Sequence, residues 1–106
     1  MARPLLSVPP KAKRGDIIEI KALIQHEMET GFRVDSEGKT IPRDIITDFV
    51  CRYNGEEVFR AEFFPAMSAN PFLSFFTIAT ESGTIAFEWN GDNGFFATAS
   101  ADIQVE

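Results

Sequence analysis

The chain has a single cysteine, a single histidine, a single tryptophan and a single tyrosine among its 106 residues. A lone Cys51 excludes an internal disulfide framework. With only His26 beside it, the tetrahedral N and S set of a structural zinc ion cannot be assembled. Basic residues are also scarce: 10 Lys and Arg stand against 16 Asp and Glu, a net charge of −6. Such a charge repels phosphate backbones, so no nucleic-acid partner is expected. The only basic cluster, Lys11–Arg14, lies beside a turn and reads as solvated. Long apolar runs are missing. Leu5–Val8 ends at Pro9 and Pro10, too short for a secretory signal, and nothing approaches a membrane span. Helical periodicity, internal repeats, phosphate-binding glycine motifs and nucleophile motifs are all absent, so neither an enzyme nor a cofactor is expected.

What the chain does have is alternation and phenylalanine. Residues 16–26 place Ile18, Ile20, Ala22 and Ile24 on one face and Glu19, Lys21 and Gln25 on the other, the period of a half-buried strand. Ile45–Tyr53 and Glu57–Phe64 flank Asn54-Gly55, whose residues suit the two positive φ angles of a type I′ hairpin. Phe72–Thr80, Thr84–Asn90 and Phe95–Val105 are further strands between turn signals, and Leu5–Val8 is a short one. About seven strands over residues 1–106 predict one all-β domain, an immunoglobulin-like antiparallel β-sandwich.

Eleven Phe residues are many for one small core. A two-residue hairpin loop sets Val50 opposite Phe59 and Ile46 opposite Phe63. It leaves Phe49, Cys51, Val58 and Phe64 on the other face. Phe72 and Phe76 similarly oppose Leu73 and Phe75 along their strand. One of these sets should form an apolar patch, the usual sign of a protein interface. The expected interface residues are Phe49, Val58, Phe64, Phe72 and Phe76, and an isolated chain with this patch should self-associate. Cys51, between Phe49 and Tyr53 on one parity, reads as a small buried hydrophobe.

The long polar segment "HEMETGFRVDSEGKTIPR" interrupts the strands. Its Glu27, Glu29, Asp35 and Glu37 lack the ligand spacing of a calcium loop. His26 reads as a strand-end or loop-positioning residue rather than a catalyst. Insertions of this length usually carry function or disorder. Here Gly31 and Gly38 offer cheap positive φ and Pro42 stiffens the exit, so an ordered loop is expected.

Three blocks, "HxMETGxRxDxxGxxIPR", "SANP" and "SGTxxFxW", occur in that order, and together they resemble the SoxZ family of bacterial sulfur oxidation. The likeness runs from about Lys13 to the end of the chain. Phe32 and the Phe95-Phe96 pair are substitutions within motifs. The resemblance implies a non-catalytic subunit that pairs with SoxY, a second sandwich. In that family SoxY bears sulfur intermediates on the cysteine of a C-terminal arm. It also implies transient contacts with other Sox enzymes and a periplasmic location reached together with the partner. The ending "ASADIQVE" has no Gly-Gly-Cys tail, so this is not expected to be the thiol-bearing subunit. His26, Met28, Gly31, Arg33, Asp35, Gly38, Pro42 and Arg43 then form the family's ordered loop. The competing reading is an independent immunoglobulin-like binding module with no SoxY partner. More distant is an enzyme that uses His26.

Overall fold

A computed structural model describes residues 3–106. Eight strands follow one another: β1 (Pro4–Ser7), β2 (Lys11–Ala12), β3 (Ile17–Ile24), β4 (Ile46–Tyr53), β5 (Glu56–Glu62), β6 (Phe72–Ile78), β7 (Gly83–Gly91) and β8 (Phe96–Val105). They form two sheets, β1-β3-β6 and β2-β8-β7-β4-β5, packed as an immunoglobulin-like sandwich. The strand beyond the expected seven is β2. Pro9 and Pro10 interrupt the first ladder, and the chain then crosses to the other sheet, where Lys11 and Ala12 run parallel to β8.

The alternating residues of β3 behave as their period requires. Ile18, Ile20, Ala22 and Ile24 are buried, while Glu19 and Lys21 face water. They meet Phe49, Cys51, Tyr53, Phe87 and Trp89 of the opposing sheet in one core. Phe49 sits at the middle of this core, with ring centroids of Trp89, Phe87, Phe75 and Phe59 5.2–6.2 Å away.

The β4–β5 hairpin turns through Asn54 (φ 49°) and Gly55 (φ 85°), both left-handed as a type I′ turn demands. Its register differs from the simple two-residue arrangement. Arg52 pairs with Glu57 but Cys51 pairs with Phe59, so Val58 is an extra residue bulged out of the ladder. Val50 therefore faces Arg60 rather than Phe59, and the amide of Phe63 bonds to Thr47 rather than lying opposite Ile46. The slip rotates Phe59 inward, where it stacks on Phe75 at 4.1 Å. Burial of both aromatic rings outweighs the ladder bond lost at Val58.

This register corrects one expected interface residue. Phe49 is wholly buried and lies in the core, not on a surface. The turn also fixes its neighbour strand. Asn54 Oδ1 accepts the amide of Thr84 at 2.9 Å. A Cβ on Gly83 would lie 1.8 Å from that oxygen, which accounts for the glycine of the "SGT" block.

Cys51 is fully buried, and desolvation pushes its thiol up to about 12. The native thiol thus keeps its proton where an unfolded chain, with a thiol near 9, loses it. Stability should be unaffected by this group below pH 9 and should fall as pH rises from about 9 towards 12, by at most ~1.4 kcal/mol per pH unit. Urea midpoints for the native chain and Cys51→Ala should converge over that range. Alkylation at pH 8 should be slow until denaturant is added, and rapid native labelling would contradict this burial.

Candidate functional site

The long polar segment is not slack. Glu29 and Asp44 exchange backbone hydrogen bonds of 2.9 and 2.8 Å, which closes its base. Inside that base a smaller hairpin forms, with Val34 bridged to Thr40. Asp35 caps its tip: Oδ1 accepts the amides of Glu37 and Lys39 at 2.9 and 3.0 Å. The Asp35 carboxylate thus serves the backbone amides of its own turn. Gly31 takes φ 87°, and a Cβ there would touch the Cβ of Arg43 at 3.0 Å. Arg33 forks onto Glu29 and holds that carboxylate below its ordinary range. Gly38 also takes a left-handed φ of 83°.

Two of the sequence blocks, the long polar loop and "SANP", converge with the "GDNG" turn at one end of the sandwich. His26 follows β3 and Asn70 precedes β6. The amide of His26 donates to Asn70 Oδ1 at 2.9 Å, and the amide of Asn70 donates to His26 O at 2.8 Å. The His26 ring lies edge-on to Phe95 at 4.8 Å. Its Nδ1 accepts the Met28 amide at 3.0 Å, so the neutral ring carries its proton on Nε2, which faces Asp44 Oδ1 at 3.8 Å. Met28, left-handed at φ 53°, is buried, and its sulfur accepts the amide of Ile46 at 3.3 Å.

Arg43 forks onto Asp92 with bonds of 2.8 and 2.9 Å, and Asp92 also accepts the amide of Ile45 at 3.2 Å. Together these hold the Asp92 carboxyl below its usual value. Gln25, His26, Glu27, Asp44, Ala69, Asn70 and Phe95 line an open cleft of about 580 Å³. Histidine serves here as a positioning residue. No serine, threonine or cysteine lines the cleft beside it, and among the described residues no three His, Cys, Asp or Glu side chains converge as a metal site would need.

The two outer sheet faces are unlike. On the five-stranded sheet, Arg52 pairs with Glu88 and Arg60 with Glu57 and Asp48. Val50 is buried between Arg60 and Glu88 on the neighbouring strands. That face is charged and wet, apart from an exposed Phe96 at one end of β8. The three-stranded sheet instead exposes Leu5, Ile17, Phe72, Phe76 and Ile78. Cross-strand register groups them: Leu5, Leu23 and Phe72 form one apolar row and Ile17 and Ile78 another. Ser7, Lys21 and Ser74 lie between these rows, and Phe76 stands opposite Glu19. Phe76 is 64% exposed and Ile17 74%.

Of the residues expected on a surface, Phe72 and Phe76 lie on this face. Val58 lines a groove with Phe76 and Ile78 along the open side of the sandwich, and Phe64 is exposed on the same chain segment as β5. Ile17, Leu23, Leu5 and Ile78 were not singled out from sequence. Their signal was nevertheless present, because Ile17 and Leu23 share the outward parity of Glu19 and Lys21.

The chain matches the family model described as Sulphur oxidation protein SoxZ over residues 6–102, and it belongs to that family. A search among curated proteins returned no match. Solved structures confirm the fold at low identity. Superoxide reductase (neelaredoxin) from Ignicoccus hospitalis has a TM-score of 0.73 at 14% identity, covering 97% of this chain and 80% of that one. The sulfur carrier protein SoxY from Chlorobium limicola f thiosulfatophilum has a TM-score of 0.67 at 11% identity, covering 97% and 78%. The CARDB domain of a Pyrococcus furiosus protein, solved in complex with di-metal ions, has a TM-score of 0.61 at 12% identity, covering 100% and 88%.

The Arg43–Asp92 fork should make the end cluster sensitive to acid. Because the folded carboxyl of Asp92 is depressed, its stabilising contribution is present above its ordinary value near 3.8 and is lost as pH falls below it. Asp92→Asn should lower the urea midpoint at pH 7, with the gap from the native chain narrowing as pH falls from 3.8 to 3. A gap equally wide at both pH values would show that the charge has no part in holding the loop.

Proposed function

We propose that this chain is the non-catalytic partner subunit of a SoxYZ-type sulfur carrier and pairs with a SoxY-like subunit that holds the sulfur cargo on its own cysteine. Membership of the SoxZ family is the observation that carries this reading. The likeness of fold to SoxY supports it, since two related sandwiches are suited to packing on one another. The chain's own chemistry points the same way. A carrier thiol must be exposed and readily ionised, whereas Cys51 is buried with its thiol raised to about 12. The end cluster is spent on internal hydrogen bonds and offers no nucleophile.

The partner is assigned to the apolar face of the three-stranded sheet. Apolar area removed from water there is worth roughly 25 cal/mol per Å² before association costs. The loop Glu27–Arg43, closed by its own bonds, is free to meet the partner or visiting enzymes as a formed surface. We place the complex in the periplasm, in keeping with the family. In isolation the same face should drive concentration-dependent association, with added salt strengthening it by screening the net charge of −6.

Co-expression with a SoxY-like subunit, followed by sizing and intact mass, tests the assignment. A stable heteromeric complex is expected. After exposure to thiosulfate and the oxidising Sox enzymes, added sulfur should appear on the partner's mass and not on this chain's. Failure to form a complex would favour an independent binding module. Sulfur on Cys51 would overturn the division of roles.

A further inference from the structure

A β-sandwich has sheet edges, and an unprotected edge invites another strand. Three of the four edges among the described residues are blunted. β1 has four residues and begins at Pro4, and β2 has only two. β5 carries Glu56, Glu57, Arg60 and Glu62 and is broken by the bulge at Val58. β6 is different. Its seven residues, "FLSFFTI", contain no charge and no proline, and they pair with β3 without a register break.

The hydrogen-bond parity of this edge can be read from its ends. Ile24 donates its amide to Pro71 O at 3.3 Å, and Ala79 donates to Asp16 O at 2.9 Å. In an antiparallel ladder bonded and non-bonded pairs alternate. Leu73, Phe75 and Thr77 therefore bond to β3. The amides and carbonyls of Phe72, Ser74, Phe76 and Ile78 point away from it, to the free edge. These same residues put their side chains on the exposed apolar face. One set of alternate residues thus offers both a row of backbone groups and a row of apolar groups.

We propose that β6 is the docking edge for an extended strand of the SoxY-like partner, which adds antiparallel or parallel to it and lengthens the three-stranded sheet by one strand. This rests on the pairing reading above. Charge selects the occupant. The groove beside β6 is lined by Val58, Phe76 and Ile78, and its only charged lining residues are Glu56 and Glu81. On the outer face Glu19 stands opposite Phe76 and Lys21 opposite Ser74, so the net acidity of this edge comes from the groove carboxylates. A second copy of this chain would set these acids against its own, in a protein of net charge −6, so strand addition between copies is disfavoured even where their apolar faces associate. The fitting strand alternates apolar residues towards Phe72, Phe76 and Ile78 and carries Lys or Arg near the groove.

Residue-resolved amide exchange on the complex with the SoxY-like subunit tests this directly. In the free chain, Ser74, Phe76 and Ile78 should exchange quickly while Leu73, Phe75 and Thr77 are slow. In the complex, the first set should slow by at least tenfold and the second should already be protected. Ser74→Pro removes one free-edge amide and no backbone β3–β6 bond, only the exposed Ser74 Oγ–Glu19 hydrogen bond. It should therefore lower the melting temperature little, no more than Ser74→Ala does, and lose at least tenfold in affinity where Ser74→Ala does not. A complex that forms with the exchange of Ser74 and Phe76 unchanged would overturn strand addition while leaving the pairing intact. Should the Pro variant misfold, the exchange pattern alone decides. No complex with the wild-type chain would remove the pairing reading, and this edge assignment with it.

Discussion

Phe59 and Phe75 lie face to face at 4.1 Å between the edge strands of opposite sheets, and the character of the protein's surface follows from that contact. Both rings must point inward for the stack to exist. In β6 this fixes Leu73 and Thr77 inward as well and turns Phe72, Ser74, Phe76 and Ile78 outward. In β5 it requires the bulge at Val58, because without it Phe59 would face the solvated side with Arg60 turned inward. A charged guanidinium has no place in that aromatic core. The same contact therefore gives one edge strand a bulge and a row of charges, and the other an unbroken apolar face.

The end of the sandwich obeys a second logic. There the side chains satisfy backbone groups of a long insertion: Asn70 holds His26, Asp35 holds the loop tip, and Asp92 holds both Arg43 and the amide of Ile45. No buried side-chain polar atom among the described residues is left without a partner. Polar groups so fully committed make a preformed surface rather than a reactive one, which is what the proposed pairing role asks of it. His26 illustrates the difference. One ring nitrogen is taken by Met28, and its ring edge is fixed against Phe95.

Much of this was legible in the sequence because strands announce themselves by alternation and turns by residues that tolerate positive φ. The Asn54-Gly55 turn was readable for that reason, as were the β3 parity and the burial of Cys51. The hairpin register was not. A bulge is selected by tertiary packing, here by Phe75 some distance along the chain, and local pattern carries no trace of it. Phe49 was misplaced on a surface through the same gap: two large apolar faces on one hairpin look equivalent until the opposing sheet chooses between them. The outward exposure of Phe72 and Phe76 was legible because their strand alternates without interruption. The convergence of "HEMETG", "SANP" and "GDNG" at one end depends on strand order, which lies beyond any local signal.

The central claim is that the apolar face of the three-stranded sheet, and not the charged face of the other, receives the partner. Dissociation constants for the SoxY-like subunit should be measured for Phe76→Glu and for Thr98→Glu, a like charge on the opposite outer face. The account predicts that Phe76→Glu weakens pairing by about a hundredfold or more, the scale of an interfacial anchor lost, while Thr98→Glu leaves it unchanged. Each variant sets its carboxylate opposite another, Glu19 or Glu88, so both should lose a similar small amount of stability. Pairing that survives Phe76→Glu and fails with Thr98→Glu would contradict it.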